Sequence, residues 1–184
     1  GSSVGVYKVK NKNDLKSKIN SAFKFAQKVL VEEAVLDPEE VEISVLQNKR
    51  TIVSRPGRVV SSDEFYTYKA KYLDGKSKIE IPYQRAGKNN SLSKEIKDVS
   101  IKVFKILECS GMARIDFLYG KTQGTKKPLL YLSEVNTIPG FTEISMFPML
   151  LNEEGITLKK IIDSLIKSAE VEFKKKDKLV TNLS

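Results

Sequence analysis

The sequence has no histidine and a single cysteine, Cys109, among its 184 residues. One cysteine excludes a disulfide within the chain and fits a reducing compartment, so we expect the protein to be cytoplasmic. Without histidine there is no imidazole to activate Cys109 as a nucleophile, and we interpret it as a small apolar residue at the end of a helix. No apolar run approaches the roughly 18 residues that a transmembrane helix requires, and we expect no signal peptide. The sequence therefore predicts no membrane partner.

Acidic residues are fewer than basic ones. The chain has 32 Lys and Arg against 23 Asp and Glu, a formal net charge of +9. Such an excess can indicate nucleic-acid binding, but most of it is lysine spread along the chain, and no aromatic residues alternate with a basic stripe. We therefore expect no nucleic-acid partner. A basic, non-enzymatic binding domain remains the alternative from another class, and it predicts strongly salt-dependent binding.

Hydrophobic residues make up 40% of the chain and charged residues 30%, as in a globular protein with one core, or a core and a small subdomain. Helical and strand-like segments lack a strand–helix–strand rhythm, which predicts an α+β fold. Apolar stripes with a helical repeat predict helices at residues 11–27, 91–109 and after Thr157, with a short helical or irregular segment at 144–151. Runs of β-forming residues predict strands at residues 41–46, 51–53, 59–60, 112–119 and 128–136.

Polar side chains interrupt the last two predicted strands at alternate positions. Arg114 and Asp116 are two residues apart in one strand, and Glu134 and Asn136 are two residues apart in the next. Residues i and i+2 of a strand share a face, so neighbouring strands would bring Asp116, Glu134 and Asn136 together. Three oxygen-bearing side chains without histidine suit Mg²⁺ or Mn²⁺, and Arg114 could face developing negative charge. A structural ion cluster, in which Arg114 or a lysine pairs with the carboxylates, fits the same spacing.

The segments ARIDF at 113–117 and SEVNTIPGFT at 133–142 closely resemble the D-alanine–D-alanine ligases of the ATP-grasp superfamily. GSSVGV at 1–6 resembles the glycine-rich loop of these enzymes, which implies that a strand follows at residues 6–9. FYTYKAKY at 65–72 resembles their ω-loop. The resemblance implies the ATP-grasp fold, with antiparallel sheets flanked by helices and the nucleotide held between two subdomains. It assigns approximately residues 1–60 to part of a small ATP-binding subdomain, 61–90 to the ω-loop region and 91–184 to a large catalytic subdomain.

The same resemblance implies an activity for the full ligase. ATP would drive the joining of two D-alanine molecules through an acylphosphate, for peptidoglycan synthesis. The N-terminal domain of the full enzyme is absent from this sequence, so we expect the chain alone to be inactive, and we expect the full-length enzyme to be a homodimer. The alternative within the superfamily is another carboxylate–amine ligase, which would differ at Tyr72 and Ser145.

Carried over residue by residue, the resemblance implies a catalytic and substrate-binding set. Two Mg²⁺ or Mn²⁺ ions would be bound, with Glu134 bridging them, Asp116 on one ion and Asn136 on the other. Arg114 and the backbone of Gly140 would stabilise an oxyanion. Ser145 and Met146 would bind the carboxylate of the second substrate, and Ser2 and Tyr72 would close the two loops over the site. A tyrosine at position 72 implies that the second substrate is an amine and not a hydroxy acid.

The resemblance also implies a nucleotide-binding set, whose members are Ser3, Glu32, Glu33, Ala34, Val35, Glu40, Phe65 and Lys71. Glu32 would accept from the adenine amine, Lys71 would contact the phosphates, and Glu40 would bind the ribose, with Glu39 as the alternative. Each segment also has a simpler interpretation. Residues 1–3 could be an expression remnant, 28–35 an edge strand, and the aromatic residues of 65–72 the cover of a core edge.

Overall fold

A computed structural model describes residues 4–47, 50–60, 78–86 and 91–178. Its sheet is antiparallel throughout, with the strand order β4-β3-β1-β5-β6 and β2 paired to β1. The strands are β1 (Leu36–Leu46), β2 (Ile52–Val53), β3 (Gly57–Val60), β4 (Lys78–Glu80), β5 (Met112–Lys121) and β6 (Leu129–Asn136). The α-helices are α1 (Leu15–Ala22), α2 (Ser91–Ile106), α3 (Met146–Asn152) and α4 (Leu158–Lys176), and two 3₁₀ turns lie at Lys12–Asp14 and Gln84–Ala86.

One face of the sheet carries the main core. Alternate residues of the two central strands point to this face and pack under α2, as the two-residue period of a strand requires. The fully or almost fully buried members are Val41, Ile43 and Val45 of β1, Ala113, Ile115 and Phe117 of β5, and Leu92, Ile96 and Phe104 of α2. Burial of this many apolar side chains is the main stabilising contribution to the sheet.

The other face of the sheet carries α3 and α4. Leu46 of β1 packs there against Phe147, Leu151 and Ile161. The Ser44 hydroxyl donates to the Phe147 carbonyl at 3.0 Å, so the start of α3 is bound directly to β1. This face therefore combines a smaller apolar cluster with polar side chains that the sheet presents beside it.

The predicted α+β class and antiparallel sheet are confirmed, and most predicted elements are present. The Asn11 side chain accepts from the Asn13 amide at 3.0 Å and caps the 3₁₀ turn that precedes α1. The helix predicted for residues 91–109 ends at Ile106, and Cys109 lies half-buried just beyond it. Within the described residues, no helix has an apolar stretch long enough to cross a bilayer.

Two predictions near the N-terminus are wrong, a strand at residues 6–9 and a helix over residues 11–27, and the simpler interpretation of residues 28–35 as an edge strand is wrong as well. Residues 6–9 and 28–35 form no strand, because a strand requires a hydrogen-bonded neighbour and none of the described strands pairs with them. The helix predicted for residues 11–27 is shorter, with a 3₁₀ turn at Lys12–Asp14 and α-helix only over Leu15–Ala22. The chain then turns, and a Cβ added at Gly5 would lie 3.0 Å from the Phe25 ring.

Gly57 allows α3 to approach the sheet. A Cβ added at Gly57 would lie 2.7 Å from Leu150 Cδ2 and 3.0 Å from Met146 Cε. We expect Gly57→Ala to lower the free energy of unfolding by about 1–3 kcal/mol through overpacking. The measurement is urea unfolding of the 184-residue chain. Gly124→Ala is the control, since its Cβ would meet no atom closer than 3.8 Å; equal stability of the two variants would contradict the close approach.

An ion pair joins the turn between β2 and β3 to the turn between α3 and α4. The Arg55 amide and Nε donate to Glu154 Oε1 at 2.9 and 2.8 Å, and Arg55 Nη2 donates to the Glu153 carbonyl at 2.9 Å. Burial raises the pKa of Glu154, but the hydrogen bonds and charge of Arg55 outweigh burial and lower that pKa below its ordinary 4.5. Such a group stabilises the fold above its unfolded-state pKa, and the stabilisation is lost as pH falls through its folded-state pKa.

We therefore expect the unfolding free energy of the wild-type chain to exceed that of Glu154→Gln at neutral pH. The difference should shrink as pH falls below about 4.5, because protonation removes the same charge that the substitution removes. Urea titrations over a pH series measure it, with Glu153→Gln as the control because Glu153 contacts Arg55 through its main-chain carbonyl. A difference that stays constant across the series would contradict the assignment.

Candidate functional site

A β-bulge in β6 decides which side chains reach the polar face. Asp116 lies opposite Glu134, whereas Phe117 lies opposite Leu132, so Ser133 is an extra residue in β6. Without it, Glu134 would point into the buried face under α2. The bulge instead places Glu134 on the same face as Asp116, because residues directly opposite each other in a sheet share a face.

The three predicted metal ligands converge on this face. Asn136 Nδ2 donates to Asp116 Oδ2 at 3.0 Å and to Glu134 Oε1 at 3.3 Å. The three side chains are partly buried and occupy two adjacent strands, as the alternate spacing predicted. The side chains of Asp116, Glu134 and Asn136 therefore meet at one place on the sheet.

Arg114 is part of the same cluster. Its Nε and Nη2 donate to Asp116 Oδ1 and Oδ2 at 2.8 and 2.7 Å, a bidentate pair. Its Nε also lies 2.9 Å from Glu42 Oε2 on β1, and Glu42 is only 7% exposed. The structural ion cluster considered from the sequence is thus present together with the convergent donors.

Sequence reasoning missed Glu42. It lies directly opposite Asp116 in the β1–β5 pair, so it shares that residue's face. A signal was available in VEISVL at 41–46, where Glu42 and Ser44 alternate with buried apolar residues. The contact with Arg114 could not be read from that alternation, because it depends on the register between distant strands.

Burial and like charge both act on the acidic groups. Burial raises the pKa of Asp116, the guanidinium of Arg114 opposes this, and the neighbouring Glu134 carboxylate adds to the rise. Burial would lower the pKa of Arg114, but its hydrogen bond to Asp116 and the charge of Glu42 raise it, so Arg114 stays protonated. Glu42, Asp116 and Glu134 thus lie around Arg114, whose guanidinium contacts the first two directly.

The chemistry of these donors fits a hard divalent cation. Asp116 and Glu134 provide carboxylate oxygens, and turning over the Asn136 amide would present its oxygen where its nitrogen now points. Across the described ranges, no group of three or more His, Cys, Asp and Glu side chains is arranged as a metal site. The amide of Asn136 is therefore needed to complete a three-donor set.

The loop after β6 brings Gly140 and Ser145 together. A Cβ added at Gly140 would lie 2.9 Å from Ser145 Oγ. The Ser145 hydroxyl accepts from the Thr142 amide at 3.1 Å and lies 2.8 Å from the Thr142 hydroxyl. Met146 follows as the first residue of α3 and is 7% exposed. The structure thus places the predicted substrate-binding residues Gly140, Ser145 and Met146 side by side.

The predicted adenine-binding segment runs alongside α1 and the β5–β6 connection. Glu32 and Ala34 line a cavity of about 710 Å³ together with residues of the N-terminal segment and α1. Glu33 Oε1 accepts from the Gly124 amide at 3.1 Å. Val35 contacts β5, where a Cβ added at Gly120 would lie 2.7 Å from Val35 Cγ1.

Glu39 and Glu40 are neighbours in β1, so their side chains point to opposite faces of the sheet. Glu39 points to the α2 face, where it accepts from the Tyr83 hydroxyl at 2.7 Å and pairs with Arg58 and Arg85 at 3.1 and 2.9 Å. Burial and the Glu39 carboxylate raise the pKa of Tyr83, so the hydroxyl stays protonated as a donor. Glu40 shares the opposite face with Glu42, two residues further along β1.

Five of the predicted site residues lie outside the described part of the chain. They are Ser2, Ser3, Phe65, Lys71 and Tyr72. The glycine-rich loop and the ω-loop roles given to them stay predictions.

Solved structures share this fold. A D-Ala:D-Ser ligase from Enterococcus faecalis is 34% identical, with a TM-score of 0.71 over 91% of this chain and 46% of its own. The D-alanine–D-alanine ligase from Bacillus anthracis, solved as a complex with ATP, is 27% identical, with a TM-score of 0.68 over 91% of this chain and 51% of its own. These likenesses define the class: the chain has the ATP-grasp fold of ligases, as predicted.

The family described as D-ala D-ala ligase C-terminus matches residues 1–167, and the chain belongs to it. A D-alanine–D-alanine ligase from Caldicellulosiruptor bescii is 46% identical over 169 residues, which are 92% of this chain and 44% of the relative. The chain thus spans about half the length of the curated relatives it matches.

Removal of Arg114 should destabilise the cluster. We expect Arg114→Gln to lower the free energy of unfolding by about 3–5 kcal/mol, because it leaves buried carboxylates without their cation. Arg85→Gln is the matched control, since Arg85 also pairs with a glutamate but its side chain is 59% exposed, against 15% for Arg114. The control should change stability by no more than about 1 kcal/mol. Similar losses in both variants by urea unfolding would contradict this account.

Proposed function

We propose that this chain supplies the ATP-binding and catalytic part of a D-alanine–D-alanine ligase, which joins two D-alanine molecules for peptidoglycan synthesis in the cytoplasm. Family membership supports the reaction class, and the relative that was solved with ATP supports the co-substrate. The observation that carries the proposal is the convergence of Asp116, Glu134 and Asn136 beside Arg114. We expect the full-length enzyme to act as a homodimer without a membrane or nucleic-acid partner.

The proposed reaction has two steps. The carboxylate of one D-alanine attacks the γ-phosphate of ATP, which gives an acylphosphate and ADP. The amine of the second D-alanine then attacks the acyl carbonyl, and the bond to phosphate breaks. Phosphoryl transfer depends mainly on alignment and on neutralisation of charge, and an acid–amide cluster beside a fixed guanidinium suits both needs.

Each residue of the cluster has a proposed role. Glu134 would hold both of two Mg²⁺ or Mn²⁺ ions, Asp116 one of them and Asn136 the other. When bound, the ions supply charge neutralisation at the phosphates. Arg114 and the Gly140 amide stabilise the oxyanion of the second step. Ser145 and the Met146 amide bind the carboxylate of the second D-alanine, which the contact between Gly140 and Ser145 supports.

The nucleotide is proposed to bind along the segment that includes Glu32, Glu33, Ala34 and Val35. Glu32 and Ala34 face a cavity, which supports a role at the adenine, and Glu33 contacts the β5–β6 connection. Glu40 is proposed as the ribose ligand in preference to Glu39, because Glu40 shares the face of Glu42 and Asp116. Ser3, Phe65 and Lys71 complete the proposed nucleotide set, and Ser2 with Tyr72 closes the loops.

D-serine is the second candidate for the acceptor. The Enterococcus faecalis relative, which is 34% identical, is a D-Ala:D-Ser ligase, so overall similarity does not separate the two acceptors. Tyr72 is proposed to favour an amine acceptor, and both amino acids have one. D-lactate has none and is expected to be the poorest acceptor.

The test is a ligase assay on a protein that carries the N-terminal half of the Caldicellulosiruptor bescii relative before Gly1, with the 184-residue chain assayed beside it. We expect the chimera to release phosphate from Mg²⁺–ATP only with D-alanine and to form D-alanyl-D-alanine, and we expect the chain alone to be inactive. Parallel reactions with D-serine and D-lactate define the acceptor.

In the same chimera, Glu134→Gln should lower kcat by at least about 100-fold while the fold is retained. Glu170→Gln, an exposed position on α4, is the control and should leave kcat unchanged. Near-normal turnover by Glu134→Gln would reject the metal assignment, and a folded chimera that never forms a dipeptide would reject the proposed function.

A further inference from the structure

Asp116 has two competing uses in the proposed function. Both of its oxygens accept from Arg114, at 2.8 and 2.7 Å, and the same oxygens are the ones a cation would bind. Asn136 already approaches one of them at 3.0 Å from the other side. If Asp116 turns to a cation, Arg114 loses its bidentate partner at the moment when its position matters.

Glu42 is placed to take over Arg114. Arg114 Nε carries a single hydrogen, and two carboxylate oxygens lie within hydrogen-bond distance of that nitrogen. Asp116 Oδ1 is at 2.8 Å and accepts the hydrogen bond, and Glu42 Oε2 is at 2.9 Å. The hydrogen bond can therefore pass from one carboxylate to the other with little movement of the guanidinium.

The surroundings of Glu42 also restrain its position. It lies in the middle of β1 between β3 and β5, opposite Gly57 on one side and Asp116 on the other. It is 7% exposed, and α3 packs closely over the adjacent Gly57. A side chain buried in a central strand has little rotational freedom, in contrast to one on a loop.

We propose that Glu42 is a positioning residue, which keeps the Arg114 guanidinium in place when Asp116 exchanges Arg114 for a cation. The purpose of this exchange rests on the proposed function, but the restraint itself is a property of the folded chain. Glu42 thereby separates the two duties of the cluster: Asp116 is released to bind the cation, and Arg114 stays directed at the reacting group.

The test replaces the cation by a substitution, so that it requires neither metal nor turnover. Asp116→Asn removes the charge that binds Arg114 and imitates an Asp116 that has turned away. We compare hydrogen exchange at Arg114 Nε in the 184-residue chain for the wild type, Glu42→Gln, Asp116→Asn and the double variant. Labelling with ¹⁵N-arginine gives a simple spectrum, since the sequence has five arginines, and loss of one signal in Arg114→Lys assigns Arg114.

We expect each single variant to exchange within about threefold of the wild type and the double variant to exchange at least about tenfold faster, because one charged partner suffices and the loss of both does not. Glu39→Gln is the matched control: it removes a carboxylate from the opposite face of the same strand and should accelerate Arg58 or Arg85 while leaving Arg114 unchanged.

Two results would overturn the inference. If Asp116→Asn alone frees Arg114 as much as the double variant, Glu42 provides no restraint. If the double variant stays as protected as the wild type, something other than these two carboxylates fixes Arg114. The signals of the other four arginines report whether each variant is folded. Failure of the ligase assay would reject the proposed function and leave this measurement interpretable.

Discussion

The ion cluster that Arg114 forms with the buried carboxylates Glu42 and Asp116 is the constraint on which the polar face of this protein depends. Glu42, Asp116 and Glu134 lie on three neighbouring strands of one sheet face, and Arg114 contacts the first two directly. Taking charged groups out of water is costly unless each finds a partner. The bidentate pair with Asp116 and the approach to Glu42 give two of the three carboxylates such a partner.

The same strands serve as scaffold and as site because a strand has two faces. Ile115 and Phe117 are buried under α2, while Arg114 and Asp116 alternate with them on the opposite side. The largely apolar core on one face holds the backbone that carries the polar side chains on the other. That is the arrangement needed when catalytic groups must be placed to within a fraction of an ångström.

The N-terminal part of the chain is organised differently. Residues 4–34 contribute α1 and a 3₁₀ turn but no strand to the sheet, and several of their apolar side chains are exposed. Leu30 and Val31 are 74% and 64% exposed, although their sequence is strand-like.

The sequence by itself determined the fold class, the amphipathic helices and the donors of the candidate site. Arg114 and Asp116 are two residues apart in one strand, and Glu134 and Asn136 are two residues apart in the next. The members of each pair therefore share a face of the sheet whatever the rest of the chain does. The match of ARIDF and SEVNTIPGFT to a known family extended this to a proposed reaction, because those segments carry the donors themselves.

Only the tertiary structure decided how these segments meet. The bulge at Ser133 puts Glu134 on the site face. Because of this bulge, Leu130 and Val135 pack against the same core although they are an odd number of residues apart. The contact between Glu42 and Arg114, and the choice of face for Glu39 and Glu40, depend on the register between strands far apart in the chain. Register is set by bulges and by side-chain packing across the sheet, and neither is encoded within a single segment.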